Sequence, residues 1–308
     1  MIWSFSSDWM FHRCQRQWYF KTIVANARAK DPVRREAYLL SKLQSIPAWR
    51  GSLVDHVISH RVVSAMNRNW PINPAKVVDY AKEVFQGQLE FALHHRLREP
   101  GLKPSKVGSE FAAFHAVEYG QPVNDETVAQ AWIDVERALG NLFRMGKLFA
   151  LLTSADYLIS QRGLTFPLAD FTVRAFPDLI AFFSGAPPLM IDWKVHTYAA
   201  SDYRFQLACY AIALKRCKPH KDFPNSLSVY SITDIRLMEV QLLADVQREY
   251  ALAEQDTHSA EDYIVQSATQ MNLATGGRTK DLSPSELRAA DQPSTCERCS
   301  FRSLCWEN

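Results

Sequence analysis

The chain has 308 residues, 47% hydrophobic and 12% aromatic, with a formal net charge of +2. That is enough apolar material for one large domain or two modest ones, and the mildly basic balance does not by itself announce a nucleic-acid partner. Six cysteines are too sparse for a secreted disulfide scaffold, and no apolar run is long enough to span a bilayer. The start Met1-Ile2-Trp3-Ser4 lacks a basic region followed by an apolar segment. A soluble, cytoplasmic protein with no membrane partner is expected.

Taken in order, residues 1–30 read as an N-terminal helix. Ser6 or Ser7 is its N-cap, Asp8 lies in its first turn, and Cys14 is carried on it. Residues 31–156 read as a helical region. Leu39, Leu40, Leu43 and Ile46 share a helical face, Gly51 opens a second helix, and 77–93 and 128–152 give two more. Arg96, Arg98, Lys103 and Lys106 fall in a Pro/Gly-containing loop that is either solvated or in contact with phosphate. Residues 157–272 read as an α/β core. Leu164-Phe166-Leu168 and Phe171-Val173-Ala175 alternate with period two. With the apolar runs 176–183 and 189–195, separated by the break 184–188, they suggest a meander of three or four strands. Ser201-Asp202 is expected to cap a helix through Phe205 and Leu214. Strands at 227–232 and 237–242 and a helix over roughly 243–272 follow, then a polar tail at 273–308.

Three charges stand inside the two apolar runs: Asp178, Asp192 and Lys194. Burying an unpartnered charge is costly, so these groups should serve one another or a ligand. Asp192 and Lys194 are two apart and share a strand face, and a closed hairpin brings Asp178 to it. Two carboxylates and an ammonium suit a hard divalent cation and an anionic substrate. In the following helix Gln206 and Tyr210 are four apart, one turn apart on the same face. They read either as the polar edge of an amphipathic helix or as groups that orient Lys194 and touch substrate.

At the C-terminus Cys296, Cys299 and Cys305 form C-x2-C-x5-C, a metal-site spacing. Three thiolates leave a fourth position. Cys14 is the natural candidate, ahead of Cys209 and Cys217, and spacing does not separate zinc from an iron–sulfur cluster.

Together, Pro177-Asp178, Asp192-Trp193-Lys194, Gln206 with Tyr210, and Cys14 with the C-terminal cysteines resemble the PD-(D/E)XK nuclease superfamily. The likeness is to its RecB-type branch, as in the CRISPR-adaptation and AddB-type nucleases. The resemblance covers both chain ends and 164–242. It implies a restriction-endonuclease-like α/β fold: a mixed central sheet flanked by helices, with an N-terminal helical insertion and an iron–sulfur clamp joining the chain ends. It also implies metal-dependent hydrolysis of DNA. Asp178, Asp192 and a main-chain oxygen near Trp193 would hold Mg²⁺ or Mn²⁺, and Lys194, Gln206 and Tyr210 would serve the reaction. A 4Fe–4S cluster would sit on Cys14, Cys296, Cys299 and Cys305. Members often serve defence or recombination systems beside a helicase, integrase or Argonaute partner. Two departures stand out. Gln15 replaces the usual proline after the first cysteine. The helical metal-binding histidine, counted from Gly51, falls on Asp55 with His56 next, and His56 is preferred on side-chain type. A catalytically idle nucleic-acid-binding or scaffolding subunit is the alternative of a different class.

Overall fold

The computed structural model describes residues 1–99, 102–196, 203–278 and 282–306. Strands are numbered in chain order: β1 (Ile2–Trp3), β2 (Tyr157–Ser160), β3 (Leu164–Leu168), β4 (Phe171–Ala175), β5 (Leu179–Phe183), β6 (Ala186–Lys194), β7 (Arg236–Gln241) and β8 (Val246–Tyr250). The first helix, Phe5–Arg13, is capped by Ser4 and not by Ser6 or Ser7. Ser7 N–H donates to Ser4 Oγ at 3.2 Å and Ser4 N–H donates to Ser7 Oγ at 2.9 Å, so each satisfies an orphan amide. Cys14 is extended backbone between this helix and the next, Gln15–Tyr19.

The helical region holds the long helices Ile46–Val57, Pro74–His94 and Asp125–Arg144. Gly51 lies inside Ile46–Val57 and does not begin it, because Ser45 supplies the N-cap. The run expected at 128–152 is two helices, broken at Met145. Arg98 is committed to protein partners, Glu36 at 2.6 Å and Glu118 at 3.4 Å.

The expected single meander is divided between two sheets. β3 and β4 form a hairpin that pairs with the N-terminal β1, in the order β1-β4-β3, with β1 and β4 parallel. The larger sheet runs β2-β5-β6-β7-β8, with β6 and β7 parallel and its other neighbours antiparallel. The β5–β6 turn is shorter than expected. Gly185, at φ +78°, closes it and β6 begins at Ala186. The pairing of β6 with β7 starts only at Leu189, so Pro187 and Pro188 lie where no β7 partner needs an amide. Residues 225–229 form a 3-10 turn and not a strand. The helix expected from 243 begins at Glu254, because β8 intervenes, and it ends at Thr275 against left-handed Gly276. The expected cap Ser201-Asp202 lies outside the described residues; the helix there is Arg204–Arg216.

Both faces of the large sheet are covered. Ile180, Phe182 and Met190 join one buried cluster with the helices Arg204–Arg216 and Glu254–Thr275; Leu179, Ala181, Leu189, Ile191 and Trp193 join another with the helical region. Double coverage explains why β5 and β6 read as nearly continuous apolar runs. Each large side chain so buried contributes roughly 1.5–3 kcal/mol. Arg50, from Ile46–Val57, donates to the Val195 carbonyl and to Asp134. That pins the helical region to the end of β6, where the charged residues stand. Among the described residues no helix is long and apolar enough to cross a membrane.

Candidate active site and cysteine cluster

At the C-terminal end of β6 the alternation of the strand turns Asp192 and Lys194 to the face covered by Arg204–Arg216. Asp192 is 2% exposed and forms an ion pair with Lys194. Gln206 Nε2 donates to Asp192 Oδ1 at 3.2 Å, and Tyr210 OH donates to the same oxygen at 3.4 Å. Lys194 Nζ donates to Gln206 Oε1 at 3.3 Å and stands 4.2 Å from the Tyr203 ring centre. One amide therefore holds both members of the buried ion pair, which the four-residue spacing of Gln206 and Tyr210 permits. Asp178 precedes β5, and the hairpin carries it across to β6. Its Oδ2 accepts from Trp193 N–H at 2.8 Å and its Oδ1 from Gln161 Nε2 at 3.0 Å. The Trp193 indole is buried in the helical-region core, leaving its backbone to face the site.

The adjacent helical positions Asp55 and His56 part company. Asp55 lies within electrostatic reach of Asp178, Asp192 and Lys194. His56, preferred from the sequence, points elsewhere: its Nε2 is 3.0 Å from Tyr80 OH and its ring stacks on His60 at 4.1 Å. Burial first, then His60 and Arg61, lowers the His56 pKa.

Crowded carboxylates hold on to protons. Burial, then repulsion by Asp178 and Asp192, pushes Asp55 well above the usual carboxylate range. Burial and Asp192 push Asp178 up to about 7. Asp192 is raised chiefly by burial, with Lys194 acting against the shift. Tyr210 is raised by burial and by Asp192, so its phenol stays a neutral donor. Glu239, in register with Asp192 on β7, is fully buried and accepts from Tyr250 OH at 2.7 Å. Sequence reasoning passed over it, although a glutamate inside Leu237-Met238-Glu239-Val240 carries the same signal as Asp192.

The structure brings Cys14, Cys296, Cys299 and Cys305 to the lining of one small cavity. Gln17 N–H donates to Cys14 Sγ at 3.5 Å, Phe301 N–H to Cys299 Sγ at 3.4 Å, and Arg16 Nη1 to Cys305 Sγ at 3.9 Å. Burial, then the neighbouring cysteines, raises Cys296. Cys299 is pushed up to about 12, chiefly by burial, against an amide donor that stabilises its thiolate. Cys209 and Cys217 belong to Arg204–Arg216 and its C-cap and do not line this cavity.

Among the described residues no three His, Cys, Asp or Glu side chains are grouped closely enough to hold a metal ion as they stand. The fit to metal is in donor chemistry. Three mutually repelling carboxylates share one lysine, the condition a hard dication relieves. Four thiols share one cavity with amide and guanidinium donors, the surroundings thiolate clusters use.

No curated protein matches this sequence. Among solved structures, the chain is similar to one titled "Crystal structure of SSO0001", at 15% identity and a TM-score of 0.28, over 74% of this chain and 96% of that one. It is also similar to protein VC1899 from Vibrio cholerae, at 13% identity and a TM-score of 0.23, over 75% of this chain and 57% of that one. The family model that does match takes in residues 2–306. Asp178, Asp192 and Lys194 thus stand together within a chain that belongs to the PD-(D/E)XK nuclease superfamily.

Proposed function

We propose that this chain is a Mg²⁺- or Mn²⁺-dependent deoxyribonuclease of the RecB-type branch, carrying a structural 4Fe–4S cluster. The observation that carries the reading is the convergence of Asp55, Asp178 and the Asp192–Lys194 pair at one end of β6. Idle proteins have no reason to keep charges that are costly to bury. Asp55, Asp178 and Asp192 would supply oxygen ligands, with the main chain near Trp193 as a further one. When bound, the ion polarises the scissile phosphate and lowers the pKa of an attacking water. Lys194 positions that water and offsets negative charge that develops on the phosphate. Gln206 and Tyr210 fix the Asp192 carboxylate, and Gln206 also steers Lys194. Cys14, Cys296, Cys299 and Cys305 would hold the cluster away from the chemistry. Service in defence or recombination beside a helicase, integrase or Argonaute partner follows from the branch resemblance.

The test is incubation of purified protein with end-labelled single- and double-stranded DNA, with Mn²⁺ or EDTA. Cleavage should require the metal and should fall by several orders of magnitude in Asp192→Ala, as loss of metal-activated water demands. Near wild-type cleavage by that variant would sink the assignment. Lys194→Ala should lose most cleavage yet keep the ion, since Asp192 is then released from its ion pair and nearby positive charge is gone.

A further inference from the structure

The polar stripe of β6 continues onto β7. Asp192 is in register with Glu239 and Lys194 with Gln241, so the four side chains share one face of the sheet, on strands about 4.8 Å apart. Glu239 is 0% exposed and Gln241 is 4% exposed. Strand packing asks for no charge there, since apolar residues of similar volume would hold the sheet at least as well. Glu239 is nonetheless present, and both oxygens of its carboxylate are engaged. Tyr250 OH donates to one at 2.7 Å. Gln241 Nε2 and Arg248 Nη1 donate to the other, the guanidinium at 3.4 Å. These three partners stand on β7 and β8, so Glu239 is braced from the edge of the sheet, apart from the groups that hold Asp192. The Arg248 side chain is 40% exposed, so water shares its charge, whereas the charge of Glu239 is sealed in. Glu239 lies close enough to Asp192 to add to the upward pKa shift that burial chiefly causes.

We propose that Glu239 is a positioning residue for the divalent ion: braced by β8, it sets a further buried negative charge beside Asp192 and tightens the hold of the site's carboxylates on the metal without touching it. The inference rests on the metal-dependent reading of the site. A dication is drawn to a neighbouring buried charge twice as strongly as the single proton it displaces from a carboxylate. The charge of Glu239 therefore favours metal over proton, although it opposes ionisation of Asp192 when no metal is bound. Arg248 works against this attraction, from a position where solvent weakens it.

The experiment is calorimetric titration of Mn²⁺ alone into the full chain, without DNA, at a pH above the value of about 7 to which Asp178 is pushed. Glu239→Gln keeps the size of the side chain and an acceptor for Tyr250 and removes the charge. Its Mn²⁺ affinity should fall about tenfold, the scale of a supporting group beyond the ligands. Arg248→Gln removes the opposing charge at the exposed end of the same ion pair, and its affinity should rise about threefold. A brace that only holds the fold does not give opposite signs, because breaking either half of the pair would loosen the strands alike. Circular dichroism checks that both variants fold, and if Glu239→Gln does not, the sign in Arg248→Gln decides. Unchanged affinity in a folded Glu239→Gln, or unchanged or weaker binding in Arg248→Gln, would overturn the role. Wild type that takes up no Mn²⁺ would sink the metal reading and this role with it. Wild type that binds Mn²⁺ no more tightly than Glu239→Gln would sink this role alone.

Discussion

At the level of single residues, the carboxylates set what can be measured. Asp55 belongs to the charged group and His56 to the Tyr80–His60 stack. Asp55→Ala should therefore cost cleavage about a hundredfold or more, as loss of a preorganised electrostatic group does. His56→Ala should change it less than about threefold; the reverse order would return the ligand role to His56. Asp178 gives a pH signature. It ionises near 3.8 as an isolated group and is pushed up to about 7 in the fold. Below that window it is protonated whether folded or not. Inside the window the native state keeps a proton that the unfolded chain has released, so stability falls as pH rises, and above it the loss is complete. Metal needs the deprotonated form, so its stabilising effect should grow through the same window. Melting temperature in EDTA should drop from about pH 5 to about pH 8, and Asp178→Asn should flatten that slope. Added Mn²⁺ should stabilise wild type more at the higher pH. A metal-free protein whose Asp178-dependent stability rises with pH would contradict the crowding of these carboxylates.

At the level of elements, what the sequence disclosed follows from what each segment buries. β5 and β6 were legible because they are covered on both faces, so every position is apolar except where chemistry intrudes. That is also why Asp178, Asp192 and Lys194 stood out. β1 is two residues long and pairs with β4 across most of the chain, so no local pattern marks it. β8 is an edge strand of sequence VQREY with mostly exposed side chains; charges suit such an edge and hide the strand among helical-looking residues. Asp55 and His56 could not be told apart because neighbours on a helix point about 100° apart, and only packing decides which faces β6. The helix Arg204–Arg216 shows the converse. Its Gln206–Tyr210 spacing was readable, but its target was not: the pair holds Asp192 as well as Lys194. Gln206→Ala should then lower cleavage by roughly a hundredfold or less, the scale of a supporting-residue loss. The circular dichroism spectrum should be retained, since Gln206 is half-buried in the first turn of its helix and bonds only polar groups of the site. An unfolded variant would make Gln206 a structural residue.

At the level of the whole molecule, the two chain ends are tied together on one side of the sheets. Arg16 Nε donates to the Leu287 carbonyl at 3.0 Å, Tyr19 OH to the Leu282 carbonyl at 2.9 Å, and Phe20 stacks on Phe301 at 5.8 Å. The four cysteines line a small cavity at the same junction. These protein contacts do not depend on the proposed cluster, so its loss should loosen the tail before it unfolds the sheets. Anaerobically purified protein should be brown and contain iron. Cys305→Ser should lose the iron and release a C-terminal fragment under limited proteolysis, because metal binding is coupled to holding the ends together. Its active-site carboxylates should still bind Mn²⁺, since they depend on β5, β6 and the helix Ile46–Val57 and on none of the cysteines. Cys217→Ser should keep both iron and tail, because Cys217 sits at the end of Arg204–Arg216, outside the cysteine cavity, and its thiol donates to the Leu214 carbonyl at 3.5 Å. Colourless protein with stoichiometric zinc would overturn the iron assignment while keeping the thiolate site. Iron retained without Cys14 but lost without Cys217 would mean that the fourth thiolate comes from the nuclease core, and the clamp would no longer join the two ends of the chain.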